Sequence, residues 1–82
     1  MTENQIEKRL VKRVKEVGGL ALKFVSPGHS GVPDRLVFIP EGLIYLVELK
    51  APGGKLTKLQ ERTKSQFEKL GFNYYVISSY EE

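Results

Sequence analysis

Asp34, Glu48 and Lys50 are the residues of this chain whose types and spacing best suit hydrolytic chemistry. Two carboxylates can hold a hard divalent cation, and a nearby ammonium can position water or stabilise charge at a phosphate. Glu48 is the most telling of the three. Its neighbours in Leu43-Ile44-Tyr45-Leu46-Val47-Glu48-Leu49 are otherwise apolar. A carboxylate in such a run costs free energy unless it is paired or liganded. The plainer reading is an ion pair of Glu48 with Lys50, and an Asp34 that only starts a strand. That reading serves for one acid alone and less well for the set.

The elements around them are legible. Ile6, Leu10, Val14 and Val17 recur at helical spacing within Thr2 to Val17, and Gly18-Gly19 stops that helix. Thr2 with Gln5, and Thr57 with Gln60, are capping-box patterns. The second opens a helix over Thr57 to Leu70 with Leu59, Phe67 and Leu70 toward the core and Gly71 at its αL end. Leu20 to Val25, Asp34 to Ile39, Leu43 to Lys50 and Asn73 to Ser78 read as strands. The third is apolar on both faces, as expected of a covered central strand. The order αβββαβ predicts an α+β domain: a mixed central sheet flanked by helices, with the last strand parallel to the third.

Pro40-Glu41-Gly42 suits a three-residue hairpin loop, a type I turn followed by an αL glycine. Such a loop pairs Ile39 with Leu43, so that partners have numbers summing to 82. Asp34 then lies opposite Glu48. Opposed Cβ atoms are about 5 Å apart and on one face. Two carboxylates so close need a proton or a cation between them. Lys50, two residues on, shares that face.

A chain of 82 residues leaves room for one domain, taken here as residues 1–82. A domain of this size is marginal alone, which favours self-association. The chain has no cysteine, so neither a disulfide framework nor a thiolate metal site is available. No apolar run resembles a signal peptide or membrane span, which makes the cytoplasm the simplest location. A net charge of +3 mildly favours a polyanionic partner. The cations cluster on the two helices, where they also suit solvated faces.

Pro33-Asp34 followed by Glu48-Leu49-Lys50 resembles the PD-(D/E)xK nuclease superfamily. Gly31-Val32-Pro33-Asp34, Glu48-Leu49-Lys50-Ala51-Pro52 and Leu59-Gln60 look most like its virus-type replication-repair nuclease family, the VRR-Nuc domain, over essentially the whole chain. The resemblance implies a restriction-endonuclease-like fold and a Mg²⁺- or Mn²⁺-dependent DNA phosphodiesterase. It implies Asp34, Glu48 and the Leu49 carbonyl as metal ligands, Lys50 as the catalytic lysine and Gln60 as an active-site residue. It also points to an acid on the first helix, where Glu7 fits as a catalytic residue or further ligand. A homodimer acting on branched DNA such as Holliday junctions, in DNA repair or phage replication, is part of the same implication. No small-molecule cofactor is expected.

Glu7 also has a reading of its own. It borders the apolar face, and its i+3 and i+4 neighbours are Leu10 and Val11 rather than cations. Gln60 is explained by the cap alone. Lys8, Lys12, His29, Ser30, Lys55 and Lys58 are candidate DNA contacts. Arg35 points away from Asp34, and Tyr74, Tyr75 and Tyr80 suit sheet and dimer packing better than base stacking. The rival to an enzyme is a non-catalytic DNA-binding module on a nuclease-like fold.

Overall fold

Thr2 and Thr57 each cap a helix with their side-chain oxygen, and Gln5 and Gln60 return the bond to the cap N–H. The computed structural model describes residues 1–79. Helix α1 spans Glu3–Glu16 and helix α2 spans Lys58–Lys69. The strands are β1, Leu20–Lys23; β2, Arg35–Ile39; β3, Leu43–Leu49; and β4, Asn73–Ile77. They form one sheet in the order β1-β2-β3-β4. The first two pairings are antiparallel, and β4 runs parallel to β3. The chain is α+β with a mixed sheet, as its pattern predicts. No helix among the described residues is long and apolar enough to cross a membrane. Tyr80 lies outside the described residues.

The hairpin register is the predicted one, with Ile39 opposite Leu43 and Arg35 opposite Val47. The loop length is right but its geometry differs. Glu41 and Gly42 both have φ of 77°. Positive φ at the second turn position belongs to a type II turn rather than type I. Glu41 therefore carries the strain that a glycine would avoid.

The sheet separates two layers. Ile6 and Val14 of α1 pack with Val37, Val47 and Leu49, the odd-numbered side of the strands. Helix α2 lies on the even-numbered side, packed chiefly against β4. Its core-facing residue is Thr63, fully buried. Leu59 and Leu70, expected in the core, are 43% and 73% exposed. Leu59 packs against the Gly31 loop instead of the sheet: a Cβ at Gly31 would sit 2.8 Å from Leu59 Cγ and 3.1 Å from Thr63 Oγ1. Val17, expected on the apolar face of α1, is also exposed, as the C-cap beyond the last turn.

Candidate active site

Asp34 sits one residue before β2 rather than inside it, yet both neighbouring strands hold it. Its carbonyl accepts from the Phe24 N–H at 3.0 Å. Its Oδ2 accepts from the Leu49 N–H at 2.9 Å, reaching across to β3. Those two bonds fix the carboxylate beside Glu48, the residue the register sets opposite.

Glu48 is 2% exposed. Its Oε2 accepts from Gln60 Nε2 at 2.8 Å, and Lys50 Nζ stands 3.9 Å from the same oxygen. Its Oε1 is buried and has no hydrogen-bond partner among the described residues. The Glu48 carboxyl is pushed up to about 7, from an ordinary 4.5. Burial is the main cause. The charge of Asp34 adds to it, as does the closeness of the two carboxyls, which can share a proton. Lys50 pulls the other way. At neutral pH this pair is short of positive charge, and a proton or a cation can supply it.

Gln60 serves the helix and the carboxylate at once. Its Oε1 accepts from the Thr57 N–H at 2.9 Å, completing the cap. With the amide oxygen so committed, the amide nitrogen is the end that faces Glu48. The cap thus sets the orientation of the residue that clamps the buried acid. The cap alone explains Gln60 in the sequence; the structure adds its hydrogen bond to Glu48.

Two further groups under α2 escaped sequence reasoning. Among the described residues, Thr63 Oγ1 and the Tyr74 hydroxyl are buried without hydrogen-bond partners. Burial, then the charges of Glu48, Asp34 and Glu68, raise the Tyr74 hydroxyl far above its usual range, so it stays protonated. The signal for Thr63 was its place one helical turn after Gln60. Tyr74 pairs with Leu46 in register, on the face of Glu48.

The sequence matches the VRR-NUC domain model over residues 2–81. The chain belongs to the VRR-NUC domain family. It is 52% identical over 77 residues to "Putative nuclease p44" of Acyrthosiphon pisum secondary endosymbiont phage 1, covering 94% of this chain and 83% of that protein. A solved VRR_NUC domain superposes with a TM-score of 0.91 at 35% identity, covering 99% of this chain and 89% of the other. The resemblance read from the motifs is the family found, and the fold is the one that family adopts. The chain is a nuclease by family.

Within this VRR-NUC domain the expected site residues do not all gather. Asp34, Glu48, Leu49, Lys50 and Gln60 are brought together by the bonds above. Glu7 is not among them. Its Oε2 accepts from Arg35 Nε at 3.0 Å, and Arg35 Nη1 also reaches the Ala21 carbonyl at 3.2 Å. Arg35 lies on the odd-numbered side of β2, so α1 meets it there and Glu7 is drawn to that face. Among the described residues, no group of three or more acid, histidine or cysteine side chains is placed to hold a metal ion. The missing helical ion pair of Glu7 is supplied across the fold.

The candidate DNA contacts are also divided. His29 is exposed beside α2, its Nδ1 3.0 Å from the Ser30 carbonyl. His29 and Ser30 border a recess with Arg62, Thr63 and Gln66. Lys55 and Lys58 are exposed near the start of α2, while Lys8 and Lys12 lie on α1, on the other layer.

Proposed function

We propose that this VRR-NUC domain is a Mg²⁺- or Mn²⁺-dependent DNA endonuclease whose centre is Asp34, Glu48, the Leu49 carbonyl and Lys50. The observation that carries the reading is the buried, partnerless Oε1 of Glu48 beside the Asp34 carboxylate. The donor set is all oxygen, which suits a hard divalent cation that keeps several waters. A cation bound there supplies Lewis-acid charge to the phosphate and makes a water more acidic.

The protein's own residues do the positioning. Asp34 is held by Leu49, and Glu48 by Gln60, so both carboxylates are oriented before any ligand arrives. Lys50 Nζ stands 3.9 Å from Glu48 Oε2, where its ammonium can donate to the attacking water or to a phosphate oxygen. The burial of Glu48 strengthens the interactions made to it by excluding water.

The same reading takes the domain as a homodimer selective for branched DNA, including Holliday junctions, in the cytoplasm of a bacterial or phage-infected cell. An apolar row supports self-association. Leu20, Phe38 and Ile44 are register partners on the α2 face, at the turn end of the sheet that α2 leaves bare. Leu20 and Ile44 are exposed, as is Phe72 just before β4. A row of this kind on a small domain suits an interface between protein chains.

The test is a Mg²⁺ and Mn²⁺ cleavage assay on four-way junctions, flaps, nicked and linear duplex, beside Asp34→Asn and Lys50→Ala. Metal-dependent cutting by the wild type alone is expected, with symmetric junction products from a dimer. Metal-dependent cutting by Asp34→Asn contradicts the site. DNA binding without cleavage under every condition favours the non-catalytic module.

A further inference from the structure

Glu7 and Arg35 border a recess of about 500 Å³ that the carboxylate pair does not use. Lys8, Lys12 and Lys15 of α1 and Lys23 of β1 share its walls. Five cations thus surround one carboxylate, and that carboxylate is already bonded to Arg35. Among the described residues, none of the four lysines has an ion-pair partner. A solvated helix face accounts for Lys8, Lys12 and Lys15. It does not account for Lys23 and Arg35, which come from two different strands and border the same recess.

Arg35 is the fixed part of this arrangement. Its Nε is tied to Glu7 and its Nη1 to the Ala21 carbonyl. A guanidinium has five N–H donors, so the remaining ones can meet a ligand in a fork whose direction is already set. The lysines add charge on flexible stems. Convergent cations in excess of their one counter-charge repel one another and are relieved by an anion.

We propose that this recess binds backbone phosphates of a nucleic-acid strand, with Arg35 as the oriented fork. The choice of nucleic acid rests on the nuclease reading. Arg35 directly follows Asp34, and their side chains leave the strand on opposite faces. The recess and the carboxylate pair therefore meet at the start of β2. A strand crossing that end can present one phosphate to the carboxylates and flanking phosphates to the recess.

The experiment measures binding of a short labelled duplex by fluorescence anisotropy in EDTA, across a range of salt, for the full chain. Lys12→Glu and Lys23→Glu are expected to weaken binding and to flatten the slope of log K against log salt by about 0.9 for each phosphate no longer neutralised. Lys69→Glu, on α2, makes the same change in net charge and is expected to leave the slope unaltered. Unchanged slopes in the recess variants, or equal losses in Lys69→Glu, overturn the proposal. A parallel amide-shift titration with inorganic phosphate separates the two sources of phosphate. Recess shifts with inorganic phosphate but none with the duplex overturn the backbone assignment. Binding here is read without metal, so the two readings fail separately. Cleavage with unaltered salt slopes sinks the recess alone. Recess binding without cleavage under any metal sinks the nuclease reading alone.

Discussion

Glu7 and Glu48 stand on opposite layers of one sheet, and they have opposite electrostatic standing. Glu7 is partly exposed and bonded to an arginine at 3.0 Å. Glu48 is buried, bonded to a neutral amide, and has its nearest cation 3.9 Å away. Glu7 has its counter-charge. Glu48 has only the more distant Lys50, is raised to about 7, and among the described residues has one oxygen with no hydrogen-bond partner. A carboxylate becomes a candidate ligand through its neighbours, and the acid with the weaker counter-charge is the one the fold leaves open to a cation.

The largest test of this contrast removes the open site. Lys50→Ala and Asp34→Asn are expected to lower Mg²⁺-dependent cleavage by on the order of 10²–10³-fold or more in a gel assay. The asparagine keeps an oxygen for the Leu49 N–H, so folding is a separate readout by circular dichroism. Glu48→Gln comes next and acts in two directions. Cleavage is lost, while the metal-free protein gains on the order of 2 kcal/mol at neutral pH. Because the folded-state value of Glu48 lies above its unfolded value, the folded protein binds the extra proton between pH 4.5 and about 7. Wild-type stability without metal should therefore fall as pH rises through that window, and the Gln variant should lose this dependence. Thermal melts across pH check it. A wild type that gains stability there contradicts the contrast.

Gln60→Ala removes one side of the cap and the clamp on Glu48 together. A loss of about 1 kcal/mol in urea titrations is expected, with cleavage reduced but measurable. Glu7→Gln is the smallest change. It is expected to cost about 1 kcal/mol or less and to leave cleavage within about tenfold of wild type. Cleavage falling as far as in Asp34→Asn would place Glu7 in the catalytic centre and end the contrast between the two faces.

Much of this was legible in the sequence where a local rule fixed a geometry. The loop length of Pro40-Glu41-Gly42 set the register that opposes Asp34 and Glu48, and the two Thr/Gln pairs set both helix starts. The pairing of Glu7 with Arg35 was not legible. It depends on how α1 lies across the sheet, which no spacing in either segment states. Thr63 as a core residue was hidden for a similar reason, since it is buried by the approach of the Gly31 loop rather than by its own polarity. The double role of Gln60 was within reach. The cap occupies its oxygen, so the nitrogen needed a partner on the sheet below.

Isothermal titration of Mn²⁺ into the metal-free wild type, Asp34→Asn, Glu48→Gln and Glu7→Gln tests most directly whether the buried carboxylate pair is the metal centre. Binding is expected in the wild type and Glu7→Gln, and its loss in Asp34→Asn and Glu48→Gln. Binding that survives in Glu48→Gln and disappears in Glu7→Gln would contradict that assignment.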